Sequence, residues 1–243
     1  MEKGTNGMIP ALPLGSFSGA VEFIFSPQES NVTGGKKVGG LDKSLELVLK
    51  HLEVTVVALA IALVIALPIG LYLGHRHRGE VFAVGVGNAG RAIPELAVIA
   101  LVAALIGVGF KTVAPALALL GIAPILTNAY VGVRQVDPAA VDAARGMGMS
   151  EWKIIRKVEL PLAVPTVMGG VRSAAIVILA TATIAPLAGV ETLGDFIINR
   201  NVYGENGLLA GAILVALLAL AMEGLLALLQ NRMTSDGLKL NTV

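Results

Sequence analysis

The chain has 243 residues, of which 55% are hydrophobic and 14% are charged, and its formal net charge is +1. Soluble globular domains carry about 45–50% apolar and about 25% charged residues, so both departures indicate a membrane protein. The near-neutral charge argues against a nucleic-acid-binding protein, which needs a strongly basic surface. The lack of cysteine in the sequence excludes disulfide bonds and thiolate chemistry.

The first 50 residues are more polar than the rest of the chain. Pro10, Pro13 and Gly15 interrupt the apolar stretch between residues 8 and 25, which is therefore too broken to cross a bilayer. The stretch also lacks the basic start and unbroken apolar core of a signal peptide. Residues 1–48 are therefore predicted to form an external tail that is interfacial or loosely ordered.

Five mostly apolar stretches follow, and each is long enough to cross a bilayer as a helix. They cover residues 52–74, 81–107, 113–133, 165–187 and 208–230. The sequence thus predicts an all-α integral membrane bundle with about five transmembrane helices. The membrane domain is expected to span residues 49–232, followed by a cytoplasmic tail over residues 233–243.

Lysine and arginine gather on one side of the predicted bundle. If the loop after the first span is cytoplasmic, the cytoplasmic pieces hold nine basic residues, whereas the opposite loops hold Lys111 and Arg200. Short cytoplasmic loops are rich in Lys and Arg, and a long tail can cross regardless of its charge. An external N-terminus and a cytoplasmic C-terminus are therefore expected. The nine residues are Arg76, Arg78, Arg134, Arg145, Lys153, Arg156, Lys157, Arg232 and Lys239.

Polar and ionisable residues within the spans are candidates for function, because such residues are costly in lipid. Arg91 and Glu95 are four residues apart, so they are predicted to pair on one helix face, either as a neutralising pair or as part of the pathway or gate. Arg172 and Glu223 lie near the cytoplasmic ends of their spans; Arg172 is expected to act as an anchor or an interface residue, and Glu223 as an anchor. Further pathway or gate candidates, each of which could instead bond to a helix backbone, are Thr127, Asn128, Thr181 and Thr183.

The segment between the third and fourth spans, residues 134–163, is too polar to cross the bilayer. Asp137 and Pro138 are typical of a helix start. Gly146-Met147-Gly148 predicts a break, and Ser150 predicts the start of a second helix that ends at Leu160-Pro161. Two short helices joined by a glycine turn outside the bilayer suit a partner's groove.

Residues 134–163 resemble the coupling-helix signature of permease subunits of ATP-binding-cassette (ABC) importers and are called the coupling segment. That signature has Glu-Ala-Ala, three residues, Gly, nine residues and Ile-x-Leu-Pro. This chain has Asp for Glu and Val for Ile at the same spacing. The resemblance implies that the segment docks on an ATPase subunit. The residues that match are Asp142, Ala143, Ala144, Gly148, Val158, Leu160 and Pro161.

A narrower resemblance to the glycine betaine, carnitine and choline (osmoprotectant) permeases covers residues 52–200. It is carried by residues 92–97, 124–132, 143–149, 170–174 and 193–197. The chain departs from that family at Gly189-Val190-Glu191-Thr192, where a glycine-rich run is usual, and at Arg91 and Glu95. The resemblance implies import of a quaternary-ammonium osmolyte, and an amino acid or another small solute stays open as the alternative.

The same resemblance implies several partners in the plasma membrane of a prokaryote. They are ABC ATPase subunits, an external solute-binding protein and a second permease subunit, identical or homologous. The sequence contains no Gly-x-x-x-x-Gly-Lys-Ser/Thr phosphate loop, so ATP and Mg are expected on the partner ATPase and no enzyme activity or cofactor on this chain. His51, His75 and His77 have no carboxylates at metal-ligand spacing, so no metal site is expected.

Two other classes of membrane protein fit the sequence less well than an importer permease. An intramembrane enzyme needs a convergent acid–base or metal set within the spans, and the sequence pattern indicates none. A passive channel needs no segment for docking an ATPase.

Overall fold

The protein is almost entirely helical in the computed structural model, which describes residues 15–30, 32, 34–92 and 94–234. This confirms the predicted all-α membrane class. Two short strands, β1 (Pro27–Glu29) and β2 (Lys37–Gly39), pair antiparallel. A π-helical turn (Ile155–Glu159) precedes α8 and a 3-10 helix (Ala182–Ala188) follows it. The α-helices are α1 (Phe17–Phe25), α2 (Gly40–His75), α3 (Glu80–Ala92), α4 (Glu95–Ile106), α5 (Phe110–Arg134), α6 (Pro138–Gly146), α7 (Glu151–Ile154), α8 (Leu160–Thr181), α9 (Gly194–Ile198) and α10 (Arg200–Met233).

Four helical stretches are long and apolar enough to cross a membrane, and they contain four of the five predicted spans. The first begins well before its apolar core, because ion pairs of Glu46 with Lys43 and Lys50 stabilise the added turns of α2. The predicted boundary between tail and membrane domain therefore falls inside α2. The four stretches are Gly40–His75, Phe110–Arg134, Glu151–Ala188 and Arg200–Met233.

The second predicted span, residues 81–107, is divided into α3 and α4, with Pro94 at the N-cap position of α4. Proline has no N–H to donate and disfavours helical geometry in the residue before it, so the helix breaks there. The expectation that Arg91 and Glu95 share one helix face is corrected, because no continuous helix joins them. Glu95 is exposed, and the side chain of Arg91 lies outside the described part of the structure.

Together, α3 and α4 still lead from one end of the bundle to the other. The Thr127 hydroxyl of α5 donates to the Ala83 carbonyl near the start of α3, at 3.0 Å. Beyond the end of α4, the Gly109 N–H donates to the Ala188 carbonyl at 2.8 Å, after the end of α8. Four of the predicted spans are thus single long helices, and the two shorter helices α3 and α4 stand in the place of the second.

Helix α5 lies at the centre of the bundle, packed against both α2 and α8. Gly70 of α2 faces Ala129, and Gly170 of α8 faces Asn128. A Cβ atom on either glycine would lie 2.6 Å and 2.5 Å, respectively, from the Cβ of that neighbour. Small residues at such crossings let helix backbones approach closely in lipid. The completely buried core side chains include Val54, Ala58, Leu117, Ile125, Ala174 and Ile178.

Part of the predicted N-terminal tail packs against the bundle. The Ser16 hydroxyl accepts a hydrogen bond from the Gly19 N–H at 3.0 Å and caps α1. Phe23 of α1 is completely buried and meets Phe196 of α9 edge to face, with ring centroids 5.1 Å apart. Tyr203 of α10 completes this aromatic cluster. The described residues between 15 and 39 therefore form an ordered N-terminal cap rather than a loosely ordered tail, whereas residues 1–14, 31 and 33 lie outside the described part of the chain.

Two adjacent glycines test the packing of α8 on α5. We expect Gly170→Ala to lower the stability of the purified protein by on the order of 1–3 kcal/mol, because the added methyl group meets the Pro124 carbonyl and Asn128. Gly169→Ala is the matched control, since nothing lies within 4 Å of the added group. Thermal unfolding in detergent measures both, and equal midpoints would contradict the packing described.

Candidate functional site

The coupling segment contains the predicted helix, glycine turn and second helix. The Asp137 carboxylate accepts a hydrogen bond from the Ala139 N–H at 2.9 Å, and Pro138 occupies the first turn of α6. After α6, Gly148 has a φ of 76°, a left-handed conformation that costs other residues roughly 1–2 kcal/mol. The space around Gly148 is open. Glycine is therefore needed there for the backbone turn and not for a close contact.

The two arms of the coupling segment pack through one small buried cluster. Val141 and Ala144 of α6 meet Ile154 of α7, and each is at most 7% exposed. Of the signature residues, only Ala144 is fully inside this cluster, so it holds the two arms together. The exposed residues around the turn include Asp142, Ala143, Met147, Gly148 and Trp152. Two of these are large and apolar, a composition that fits a surface covered by a partner.

A buried histidine fastens the coupling segment to the end of α2. His75 is 5% exposed. Its Nδ1 lies 2.8 Å from a carboxylate oxygen of Glu159, and its Nε2 lies 2.8 Å from one of Glu151. The contact between Nδ1 and Glu159 is a hydrogen bond, whereas the contact between Nε2 and Glu151 is a close approach of charged groups. His75 therefore belongs to a buried polar contact rather than to the basic cluster suggested by its sequence neighbours.

Arg145 extends this network to α6. It lies 3.3 Å from carboxylate oxygens of Glu151 and Asp142, and the hydrogen bond to Glu151 raises the pKa of Arg145. A cavity of about 260 Å³ opens beside the network, lined by Arg145, Glu151 and residues 75–78. Charged contacts thus hold the end of α2 together with α6 and α7. Among the described residues, no cluster of three or more His, Asp or Glu is arranged to hold a metal ion.

The second helix of the coupling segment does not end at Leu160-Pro161, which corrects the sequence prediction. It continues through the π-helical turn into α8, so residues 151–188 form one helical stretch. The Leu160 N–H donates to the Ile155 carbonyl, five residues earlier. Pro161 follows in the first turn of α8, where a missing N–H is tolerated. Val158 and Leu160 are half-buried and Pro161 is exposed.

The polar residues predicted as pathway candidates mostly bond to backbone carbonyls. Thr127 donates to α3 at 3.0 Å, Asn128 donates to the carbonyl one turn earlier at 2.8 Å, and Thr183 donates three residues back at 2.7 Å. Thr181 is buried at the end of α8. Such bonds are the common role of polar side chains in membrane helices. The assignment of these residues to a pathway or gate stays a prediction.

The loop before α9 is fastened to α2 by the residues that depart from the osmoprotectant pattern. Glu191 pairs with Lys50 and lies 3.7 Å from Lys43, and the hydrogen bond from Lys50 lowers the pKa of the Glu191 carboxyl. The Thr192 hydroxyl donates to a carbonyl at the start of the 3-10 helix, at 2.9 Å. Burial raises the pKa of the nearby Asp195 carboxyl. A glycine-rich run would supply none of these side chains.

Sequence reasoning missed two contacts between distant parts of the chain. The first joins His75 to Glu159, and the sequence holds no spacing that links them. The second joins Arg172 of α8 to Glu223 of α10, where the Arg172 Nε donates to Glu223 Oε1 at 3.0 Å. The sequence does indicate this pair, because the two opposite charges lie about equally far inside the cytoplasmic ends of their predicted spans.

Comparison with known proteins defines the class. Residues 66–235 match the family model described as "Binding-protein-dependent transport system inner membrane component". The chain therefore belongs to this family. The carnitine transport permease protein OpuCB of Listeria monocytogenes is 36% identical over 78% of this chain and 88% of its own length. The choline transport system permease protein OpuBB of Bacillus subtilis is 32% identical over the same shares.

Solved structures agree on the fold. An inward-facing structure of the MetNI methionine ABC transporter aligns with a TM-score of 0.68 at 20% identity, over 79% of this chain and 96% of that one. An amino acid ABC transporter structure aligns with a TM-score of 0.57 at 22% identity, over 77% of this chain and 92% of that one. Together, the family match and the relatives identify the chain as the membrane-spanning permease subunit of an ABC importer.

The two carboxylates beside His75 differ in burial, which gives a prediction. Glu159 is 2% exposed, so Glu159→Ala leaves a buried imidazole nitrogen without its partner, at an expected cost of about 1–3 kcal/mol. Glu151 is half-exposed at 54%, so Glu151→Ala is expected to cost about 1 kcal/mol or less. Thermal unfolding of the two variants in detergent compares them. A larger loss for Glu151→Ala would contradict the assignment of Glu159 as the buried partner.

Proposed function

We propose that this chain moves a quaternary-ammonium osmolyte of the glycine betaine, carnitine or choline type across the membrane. The observation that carries this proposal is the similarity to relatives whose names specify carnitine, choline and glycine betaine transport, at 31–36% identity over three quarters of the chain. The similarity includes the membrane helices and the coupling segment. The likeness to the methionine and amino acid transporters lies below 25% identity and supports only the fold.

The proposed mechanism is alternating access driven from the coupling segment. Partner ATPase subunits bind ATP and Mg and hydrolyse the ATP, whereas this chain supplies no catalytic residue or cofactor. They dock around Gly148, where Met147 and Trp152 are exposed. Because residues 151–188 form one helical stretch, a displacement of the docked segment is passed into the membrane along α8. The two states then differ in which side of the membrane the pathway faces.

The proposed assembly places the chain in the plasma membrane of a prokaryote, with residues 75–79 and the coupling segment in the cytoplasm. The N-terminal cap and the loop before α9 then face outside, where an external solute-binding protein delivers the solute. A second permease subunit, identical or homologous, completes the pathway. Support comes from the bias of Lys and Arg toward the side that carries the coupling segment.

Uptake by the reconstituted complex tests the substrate. Proteoliposomes that contain this chain, its ATPase and its binding protein are expected to accumulate radiolabelled glycine betaine only when ATP is enclosed. Unlabelled carnitine and choline are expected to compete. Vesicles without the binding protein are the control. Import of a free amino acid that neither betaine nor choline reduces would contradict the osmolyte assignment while leaving the importer class intact.

A further inference from the structure

The Arg172–Glu223 pair connects α8 with α10 inside the apolar part of the bundle. The Arg172 Nε donates to Glu223 Oε1 at 3.0 Å, and Nη2 contacts the same oxygen. The Arg172 Nη1 donates to Gln230 Oε1 at 2.8 Å. A guanidinium has five N–H donors, so two remain beyond these three bonds. Glu223 Oε2 makes no hydrogen bond to any residue in the described ranges.

The depth of the pair is unusual for two charged side chains. Arg172 and Glu223 each lie seven residues, or about 10 Å along a helix, inside the predicted ends of their spans at Pro165 and Gln230. The apolar layer of a bilayer is about 30 Å thick. Ionisable residues at such depth almost always face the bundle interior or a water-filled cavity rather than lipid.

The pair is not enclosed within the subunit. The side chains of Arg172 and Glu223 are 31% and 37% exposed. An open cavity of about 460 Å³ lies beside them, within the range of about 300–1,000 Å³ typical of small-ligand sites. Because ionisable side chains at this depth rarely face lipid, the cavity fits a position on the solute pathway. Its lining residues are Gly169, Arg172, Ser173, Ile176, Val177 and Glu223.

We propose that this cavity is a transient binding site in the pathway for a zwitterionic quaternary-ammonium solute. The free N–H groups of Arg172 bind the carboxylate of the solute, since a guanidinium matches carboxylate geometry. Glu223 Oε2 attracts the quaternary ammonium, and the apolar wall formed by Ile176 and Val177 contacts its methyl groups. The inference rests on the proposed osmolyte function and adds where, within this chain, the solute is held.

This arrangement differs from the aromatic cage that usually recognises a quaternary ammonium. Aromatic residues make up only 4% of the chain, and none lines this cavity. The Glu223 carboxylate supplies the negative charge instead, because Arg172 contacts only its Oε1 and leaves Oε2 without a hydrogen bond to the described residues. A zwitterion uses both members of the pair, whereas a cation without a carboxylate uses only Glu223. The site therefore predicts different sensitivities for betaine and choline.

The test is uptake by the complete complex with glycine betaine and choline measured side by side. The double variant Arg172→Gln/Glu223→Gln removes both charges and leaves a neutral hydrogen-bonded pair, so no unpaired charge is left in the membrane. Uptake of glycine betaine is expected to fall about tenfold or more. Arg172→Gln alone is expected to lower the ratio of betaine to choline uptake by at least severalfold, because only betaine has a carboxylate for Arg172 to bind. The binding protein is the same in every sample, so a change in this ratio comes from the permease.

The matched control is Arg200→Gln/Glu205→Gln, an arginine–glutamate pair at the start of the same helix α10 and outside its apolar part. It is expected to import both solutes at wild-type rates. If the wild-type complex imports the solutes and the Arg172/Glu223 double variant imports them at the same rates, the proposed site is wrong but the osmolyte function stands. Failure of the wild-type complex to import either solute would overturn the proposed osmolyte function and the site with it.

Discussion

The constraint on which this structure depends is that backbone polar groups within the apolar layer must be satisfied inside the protein. It explains why the described membrane-spanning part is helical. The close contacts of Gly70 and Gly170 with α5 have a second cause: lipid provides no hydrophobic drive between helices, so their association depends on close packing of small residues. The first constraint also explains why hydroxyl groups such as Thr127 bond to backbone carbonyls.

The same constraint shapes the link between the coupling segment and the membrane. Pro161 cannot donate a backbone hydrogen bond, yet the chain avoids a break by widening into a π-helical turn and entering α8 directly. His75 and Glu159 then hold that turn against the end of α2. A rigid, continuous stretch transmits a displacement that a flexible loop would absorb. In the proposed mechanism, the helical stretch over residues 151–188 carries the displacement from the docked segment into the membrane.

Much of this architecture could be predicted from hydropathy and turn chemistry, since the long apolar stretches and the Gly148 turn are local properties. Pro94 and Pro161 show the limit of such rules, because one proline divides a predicted span and the other is accommodated within a helix. Pro94 lies at the N-cap position of α4, whereas Pro161 lies in the first turn of α8, where its missing N–H is tolerated. The contact between His75 and Glu159 was beyond sequence reasoning, since it depends on how two distant helix ends are packed.

The central claim, that the turn around Gly148 couples this permease to its ATPase, is tested most directly by ATP hydrolysis. Stimulation by the loaded binding protein is measured for the reconstituted complex with Gly148→Ala or Gly146→Ala. Both glycines have open space around them, but only Gly148 has a positive φ. The account predicts severalfold lower stimulation for Gly148→Ala and wild-type stimulation for Gly146→Ala. Full stimulation in the Gly148 variant would contradict it.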